Sequence, residues 1–318
     1  MWPLSSNTFV PDQHIPDLSG QVILVTGGNA GLGKESVLRL AKHNPRKIYL
    51  GCRTESKARD AIADIRSQLG KDTDHAGSAN VDIEYLPLDL AALPSVKAAS
   101  EHVIQNTDRL DVLLLNAGIM AVPPSKTADG FEVQLGTNHV GHFLLTKLLT
   151  PLLQTTATEH KGDVRVVSLS SSGYAFAPSI DIILDTDELY KQGPWVRYGA
   201  SKAANVMFAA ELARRHPGFT SVSLHPGVSN TGLFANTRES WLMRTLMAVF
   251  GPLVFSDVEQ TSLNQLYLSR GMSREQLVNG GFYLPVGKIG QAKWQSDMSY
   301  GKRLWEWTEA ELAKRGYN

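Results

Sequence analysis

The chain has 318 residues, and its 31 Lys plus Arg balance 31 Asp plus Glu, so the formal net charge is zero. That balance, with no basic run, argues against a nucleic-acid partner, and the single cysteine, Cys52, excludes an intramolecular disulfide and a cysteine-rich zinc site. At 42% apolar and 19% charged the chain can bury a large core. No apolar run reaches the roughly 20 residues of a membrane span, and no signal-peptide pattern opens the chain, so a cytoplasmic location is expected.

Residues 1–19 carry Pro and Ser without a clear period and read as an N-terminal arm. Val22–Val25 is an unbroken apolar run, the mark of a strand buried on both faces, and it leads into TGGNAGLG at 26–33. Val37, Leu38 and Leu40 then share a helical face, His43, Asn44 and Pro45 stop that helix, and 48–52 is the second strand. A helix over 55–69, a polar loop over 71–80, a third strand over 81–90 and a helix over 94–107 follow. The fourth strand is 111–118, a long helix 130–153, the fifth strand 163–171, a helix 197–215, the sixth strand 220–227 and a last strand 280–287. Buried strands alternating with helices build right-handed βαβ units and a mostly parallel sheet. The expected fold is α/β: a doubly wound Rossmann sheet flanked by helices, in one domain over 20–290, with a C-terminal extension over 291–318. A flavodoxin-like sheet is the alternative at this level.

TGGNAGLG follows a buried strand and opens a helix, the context of a dinucleotide-binding loop. Gly27 can take a backbone angle closed to other residues, Gly31 lets a pyrophosphate approach, and Gly33 allows close helix–strand packing. Thr26, Asn29 and Leu32 complete the loop, and the free N–H groups of the helix start face the phosphates. Lys34 is followed by Glu35, so this is no Walker A loop. At the end of the second strand an NAD site usually carries a carboxylate. Here the chain has Gly51, Cys52, Arg53 and Thr54. The Arg53 fork suits a 2′-phosphate, so NADP(H) is expected in preference to NAD(H). Asp89 and Leu90 follow the third strand, where they can meet an adenine ring.

Tyr198 and Lys202, in YGASK, stand at i and i+4 and share a helix face. A nearby ammonium and a positive nicotinamide ring both favour the phenolate and together pull the Tyr pKa toward the working range. The fifth strand ends in Ser170, Ser171 and Ser172, at the carboxyl end of a parallel strand where sites form. A hydroxyl there can stabilise a carbonyl oxygen as charge develops. Ser171 is the expected residue, with Ser170 and Ser172 left open by spacing. No Gly-x-Ser-x-Gly elbow surrounds them, so a serine hydrolase using His225 is disfavoured. Asn116, with Ala117 and Gly118, closes the fourth strand, where the Asn is expected to bond neighbouring backbone. Asn138 lies in an apolar helical segment and needs partners there; holding a water beside Lys202 is one role. His139 and His142 read as core or hydrogen-bonding histidines, with no metal expected.

Together TGGNAGLG at 26–33, NAG at 116–118, NHVGHF at 138–143, the serines at 170–172, YGASK at 198–202 and HPG at 225–227 resemble the short-chain dehydrogenases/reductases over about 19–290. NHVGHF and the helix after YGASK look most like the retinol-dehydrogenase-like and protochlorophyllide-reductase-like branch. The resemblance implies a catalytic tetrad of Asn138, Ser171, Tyr198 and Lys202. It also implies cofactor contacts from Pro226, Gly227, Val228 and Thr231, the last near the nicotinamide carboxamide. Arg53 falls where NADPH-preferring members carry Arg. Ala30 stands where such members often place a basic residue, which leaves the phosphate to Arg53 with Thr54 or Lys57, or makes the preference for NADP(H) modest.

The implied reaction interconverts a carbonyl and an alcohol, with hydride from nicotinamide, a proton from Tyr198, orientation by Ser171 and ribose binding by Lys202. Residues 172–197, with Tyr174, Phe176, Tyr190 and Trp195, and residues 232–256 are expected to set specificity, the second as an apolar cap over a bulky substrate. Core or homodimer contact and contact with a membrane surface are the other uses of that apolar run. Trp294, Trp305 and Trp307 of the extension pack beside the cap or serve a partner. The rival functions are reduction of an activated carbon–carbon double bond, a sugar epimerase or dehydratase, and a non-catalytic NADP(H)-sensing protein.

Overall fold

The computed structural model describes residues 9–72, 78, 80–227 and 257–318. Val228, Thr231, the 232–256 segment and residues 1–8 therefore lie outside the described residues.

Helix α1 (Pro11–His14) precedes β1 (Val22–Thr26), α2 (Gly31–Ala41), β2 (Lys47–Cys52), α3 (Glu55–Leu69), β3 (Asp82–Pro87), α4 (Leu93–Asn106) and β4 (Val112–Leu115). Then come α5 (Val133–Leu135), a π-helical turn over Gly136–Val140, α6 (Gly141–Thr158), β5 (Arg165–Leu169), the short helices α7 (Ile180–Ile183) and α8 (Thr186–Tyr190), α9 (Pro194–Arg215) and β6 (Thr220–Leu224). The rest is α10 (Val258–Leu266), β7 (Phe282–Leu284), β8 (Lys288–Gly290), α11 (Lys293–Ser296) and α12 (Met298–Ala313).

The strands form one sheet in the order β3-β2-β1-β4-β5-β6-β7-β8, parallel except for the final β7–β8 hairpin. β1, β4, β5 and β6 are buried at every residue, because helices cover both faces. β3 at the edge is only partly buried. One core layer joins α2, α3 and α10 to the sheet through Val37, Ile65 and Leu266. The opposite layer joins α4, α6, α9 and α12 through Val96, Leu149, Leu212 and Leu312. The chain order reverses between β1 and β4, and a crevice forms there at the carboxyl ends of the strands.

Several expected elements are shifted. The 130–153 helix starts only at Val133, because Glu132 caps it and Thr127 N–H pairs with Phe131 O ahead of it, and it runs on to Thr158. The last strand is confined to Phe282–Leu284 and turns back as a hairpin, which a short apolar run does not announce. In the arm, Phe9, Ile15 and Leu18 are buried against the body. In the C-terminal segment, Trp294 and Trp305 are buried, and Trp305 stacks on Phe208 of α9 with ring centroids 6.0 Å apart. Among the described residues no helix is long and apolar enough to cross a membrane.

Candidate active site

A cavity of about 670 Å³ opens at the carboxyl ends of β1, β4, β5 and β6. Thr26, Gly27, Asn29, Gly31, Leu32, Arg53, Asp89, Leu90, Asn116, Ala117, Gly118, Ser171, Tyr198, Lys202, Pro226 and Gly227 all line it. Gly33 and Asn138 stand just behind this lining and shape it through their neighbours.

Backbone builds the β1–α2 side. Gly27 has φ +69°, in the left-handed region, and its N–H donates to Gly51 O at 2.7 Å. A Cβ on Gly33 would lie 2.3 Å from Gly27 O, so only glycine lets α2 sit this close to the loop. The Ala30 N-cap supplies no side-chain bond, leaving first-turn N–H groups of α2 without a cap where Ala30, Gly31 and Leu32 border the cavity. That is an anion cradle, and the residues present fit a dinucleotide pyrophosphate. Asn116 Nδ2 donates to Thr26 O at 2.9 Å, and Ala117 N–H to Thr26 Oγ1 at 3.0 Å, which ties the ends of β1 and β4 together. Arg53 is exposed at the rim, and its guanidinium makes no hydrogen bond or ion pair among the described residues. Asp89 accepts Ala91 N–H at 2.9 Å, which leaves its second carboxylate oxygen for a ligand.

On the β5–α9 side the three serines separate. Ser170 is buried and donates to Lys202 O at 2.7 Å. Ser172 starts the 3₁₀ turn over Ser172–Phe176, and its N–H donates to His225 Nδ1 at 3.3 Å. Ser171 accepts Gly173 N–H at 3.0 Å, and its hydroxyl lies near enough to the Tyr198 phenol to lower that group's pKa. Ser171 is therefore the serine placed beside Tyr198, and His225 bonds backbone rather than a serine hydroxyl. Lys202 Nζ donates to Leu169 O at 2.8 Å and lies 5.8 Å from the Tyr198 ring centroid.

The titration of this pair departs from the sequence expectation. Burial pushes the Tyr198 phenol up to about 12, against a smaller lowering by the Ser171 hydroxyl. Burial pushes the Lys202 ammonium down to about 8. Desolvation dominates both shifts in the free protein.

Asn138 lies in the π-helical turn and needs no water to be satisfied. Its Oδ1 accepts Ile119 N–H at 2.8 Å, and its Nδ2 donates to Ile119 O and Ser201 Oγ, each at 2.9 Å. His142 Nδ1 meets Asn138 O at 3.0 Å, so that nitrogen carries the proton and Nε2 accepts from the Thr26 hydroxyl at 2.8 Å. Burial holds His142 down at about 4 and His139 at about 3, so both are neutral. No cluster of metal-ligating side chains occurs among the described residues.

Of the four aromatics in 172–197, Phe176 and Trp195 line the cavity. Tyr174 packs on Phe282, and Tyr190 lies under Lys126. Trp195 meets Tyr198 edge-on with centroids 6.3 Å apart. Residues missed by sequence reasoning include Met120, Val133, Thr137 and Thr261 in the lining and Ser201 and Asn205 behind it. Gly199 was a readable signal: a Cβ there would lie 2.7 Å from Ala177 N, so the glycine of YGASK lets the 172–176 turn rest on α9.

A family model described as short chain dehydrogenase matches residues 21–182. A short-chain dehydrogenase/reductase of Armillaria gallica is 36% identical over 98% of this chain and 98% of that protein. Mouse retinol dehydrogenase 14 is 34% identical over 92% of this chain and 86% of its own. Among solved structures, an uncharacterized protein from Mycobacterium paratuberculosis superposes with a TM-score of 0.71 at 26% identity, covering 96% of this chain and 97% of that one. The chain thus belongs to the short-chain dehydrogenase/reductase family, Rossmann-fold oxidoreductases that use a nicotinamide cofactor.

Proposed function

We propose that the protein is an NADP(H)-dependent oxidoreductase that interconverts a carbonyl and a primary or secondary alcohol on a fairly bulky, apolar substrate. The observation that carries this reading is the meeting, in one cavity, of the uncapped α2 start, Arg53, and the Ser171, Tyr198 and Lys202 side chains. When bound, the nicotinamide supplies hydride to the carbonyl carbon.

Gly27, Gly31 and the α2 N–H groups would hold the pyrophosphate, and Arg53 would pair with the 2′-phosphate. Ser171 donates to the carbonyl oxygen and Tyr198 gives it the proton as it becomes an alkoxide. Lys202, on the same face of α9, supplies positive charge that stabilises the phenolate left behind. Asn138 keeps the β4 loop in register with α9 through Ile119 and Ser201. Ile119, Met120, Val133, Phe176 and Trp195 give the cavity an apolar side, which suits a substrate with large hydrocarbon surface. A relative named retinol dehydrogenase supports an alcohol or aldehyde on such a skeleton.

Fluorescence titration with NADPH and NADH, on the wild type and on Arg53→Ala, tests the cofactor assignment. NADPH should bind more tightly than NADH, and Arg53→Ala should weaken NADPH alone. Equal affinities in the wild type would overturn it. Chromatography of the products tests the reaction: all-trans-retinal and 4-nitrobenzaldehyde should each give the alcohol, and retinal reduced at a carbon–carbon double bond with its aldehyde intact would refute carbonyl reduction.

A further inference from the structure

Among the described residues the largest fully buried side chain is Arg197, the residue before Tyr198. It pairs with Glu132, itself without exposure, at 3.1 Å. Burying two charges is expensive, so such a pair earns its place only where its hydrogen bonds hold something. The polar atoms that do not join the pair to each other reach backbone. Arg197 Nε donates to Gln192 O at 3.0 Å and Nη2 to Val122 O at 2.9 Å. Glu132 Oε2 accepts Gln134 N–H at 2.9 Å and Leu135 N–H at 2.8 Å.

Buried Gln134 adds two more ties: its Oε1 accepts Ala121 N–H at 2.8 Å and its Nε2 donates to Pro194 O at 3.0 Å. Ala121 has φ +49°, a conformation an alanine holds only where its surroundings over-determine it. The segments so joined are the loop after β4, the start of α5, and the approach to α9. Next to the tied Ala121 is Met120, which is buried with it against Tyr198 and Trp195.

We propose that Glu132, Gln134 and Arg197 are positioning residues for the substrate: they fix the 119–122 loop against the start of α9 and so set the gap between Met120 and Trp195 in front of Tyr198. None of the three touches the β1–α2 side of the cavity. The proposal deepens, and rests on, the reading of Tyr198 as the proton donor to a carbonyl. A merely structural pair would lower stability and the folded fraction but leave KM unchanged.

Arg197→Lys keeps the charge beside Glu132 but cannot span Gln192 O and Val122 O together. Gln134→Leu keeps the volume and removes both of its ties. With NADPH and all-trans-retinal, both variants should show a raised KM and a kcat/KM per folded molecule lower by on the order of 100-fold. NADPH Kd, by fluorescence, should stay at the wild-type value. A fall in NADPH affinity matching the fall in kcat/KM, or an unchanged KM, would overturn the proposal. Hydrogen exchange reads the same loop without catalysis: in Gln134→Leu the 119–122 amides should exchange faster while the sheet amides keep their protection. Unchanged exchange at 119–122 refutes the clamp even if the wild type reduces neither retinal nor 4-nitrobenzaldehyde, a result that would strike the carbonyl reading instead.

Discussion

On its β1–α2 side the cavity is shaped by backbone: a glycine at φ +69°, a helix start without a side-chain cap, and a glycine whose Cβ would lie 2.3 Å from a carbonyl. On its β4–α9 side it is shaped by buried side chains, with Gln134 and Arg197 bonding partners 60 to 75 residues away in sequence. The first wall is built mainly from eight consecutive residues, held by Gly51 and Asn116, and suits any ligand with a pyrophosphate. The second depends on distant segments meeting, and can vary with substrate while the first stays constant.

Substitutions on the two walls should therefore separate. Tyr198→Phe, on the second wall, should lower turnover by roughly 100- to 10,000-fold while NADPH still binds; turnover near the wild-type rate would remove Tyr198 as the proton donor. Gly33→Ala, on the first, should abolish detectable NADPH binding and destabilise the fold by about 1–3 kcal/mol through overpacking against Gly27 O. A denaturant midpoint and a cofactor titration check it together. Arg53→Ala should cost NADPH about 1.5–3 kcal/mol of affinity, the worth of charge-assisted hydrogen bonds, and leave NADH unaffected.

The pH dependence should differ as well. With burial holding Lys202 at about 8, kcat/KM for carbonyl reduction should fall on the basic side near pH 8, as the ammonium that supports the phenolate is lost. A profile flat through pH 9 would contradict that. Stability should respond on the acid side. His142 and His225 are held at about 4 and His139 at about 3, below their ordinary value of 6.5. The unfolded chain takes up protons first as pH falls below about 6.5, so stability present above that value is lost toward pH 4. His139→Phe, placed among Phe143 and Phe208, should shrink the drop in urea midpoint between about pH 7 and pH 5. An undiminished drop would show that His139 titrates normally.

Much of the first wall was legible because its cause is local. TGGNAGLG after a buried strand specifies a turn and a helix start through backbone sterics alone. The i, i+4 spacing of Tyr198 and Lys202 puts both on one face of α9 by helix geometry. The alternation of apolar runs with amphipathic helices likewise announced the parallel sheet, since a strand covered on both faces has little choice of residue. The 130–153 helix was misjudged at its start, because the Glu132 cap and the π-helical turn at Gly136–Val140 depend on what packs against them.

What tertiary structure alone decided is which neighbour each polar group meets. Three adjacent serines are equivalent in sequence, and only the docking of α9 onto the end of β5 turns Ser170 into a backbone anchor and leaves Ser171 beside the phenol. Glu132, Gln134 and Arg197 look like ordinary helix-surface residues until the fold buries them on one another. The displaced titration of Tyr198 and Lys202 has the same origin: residue type sets a starting pKa, but desolvation is a property of everything packed around the group, and that is written across the whole chain.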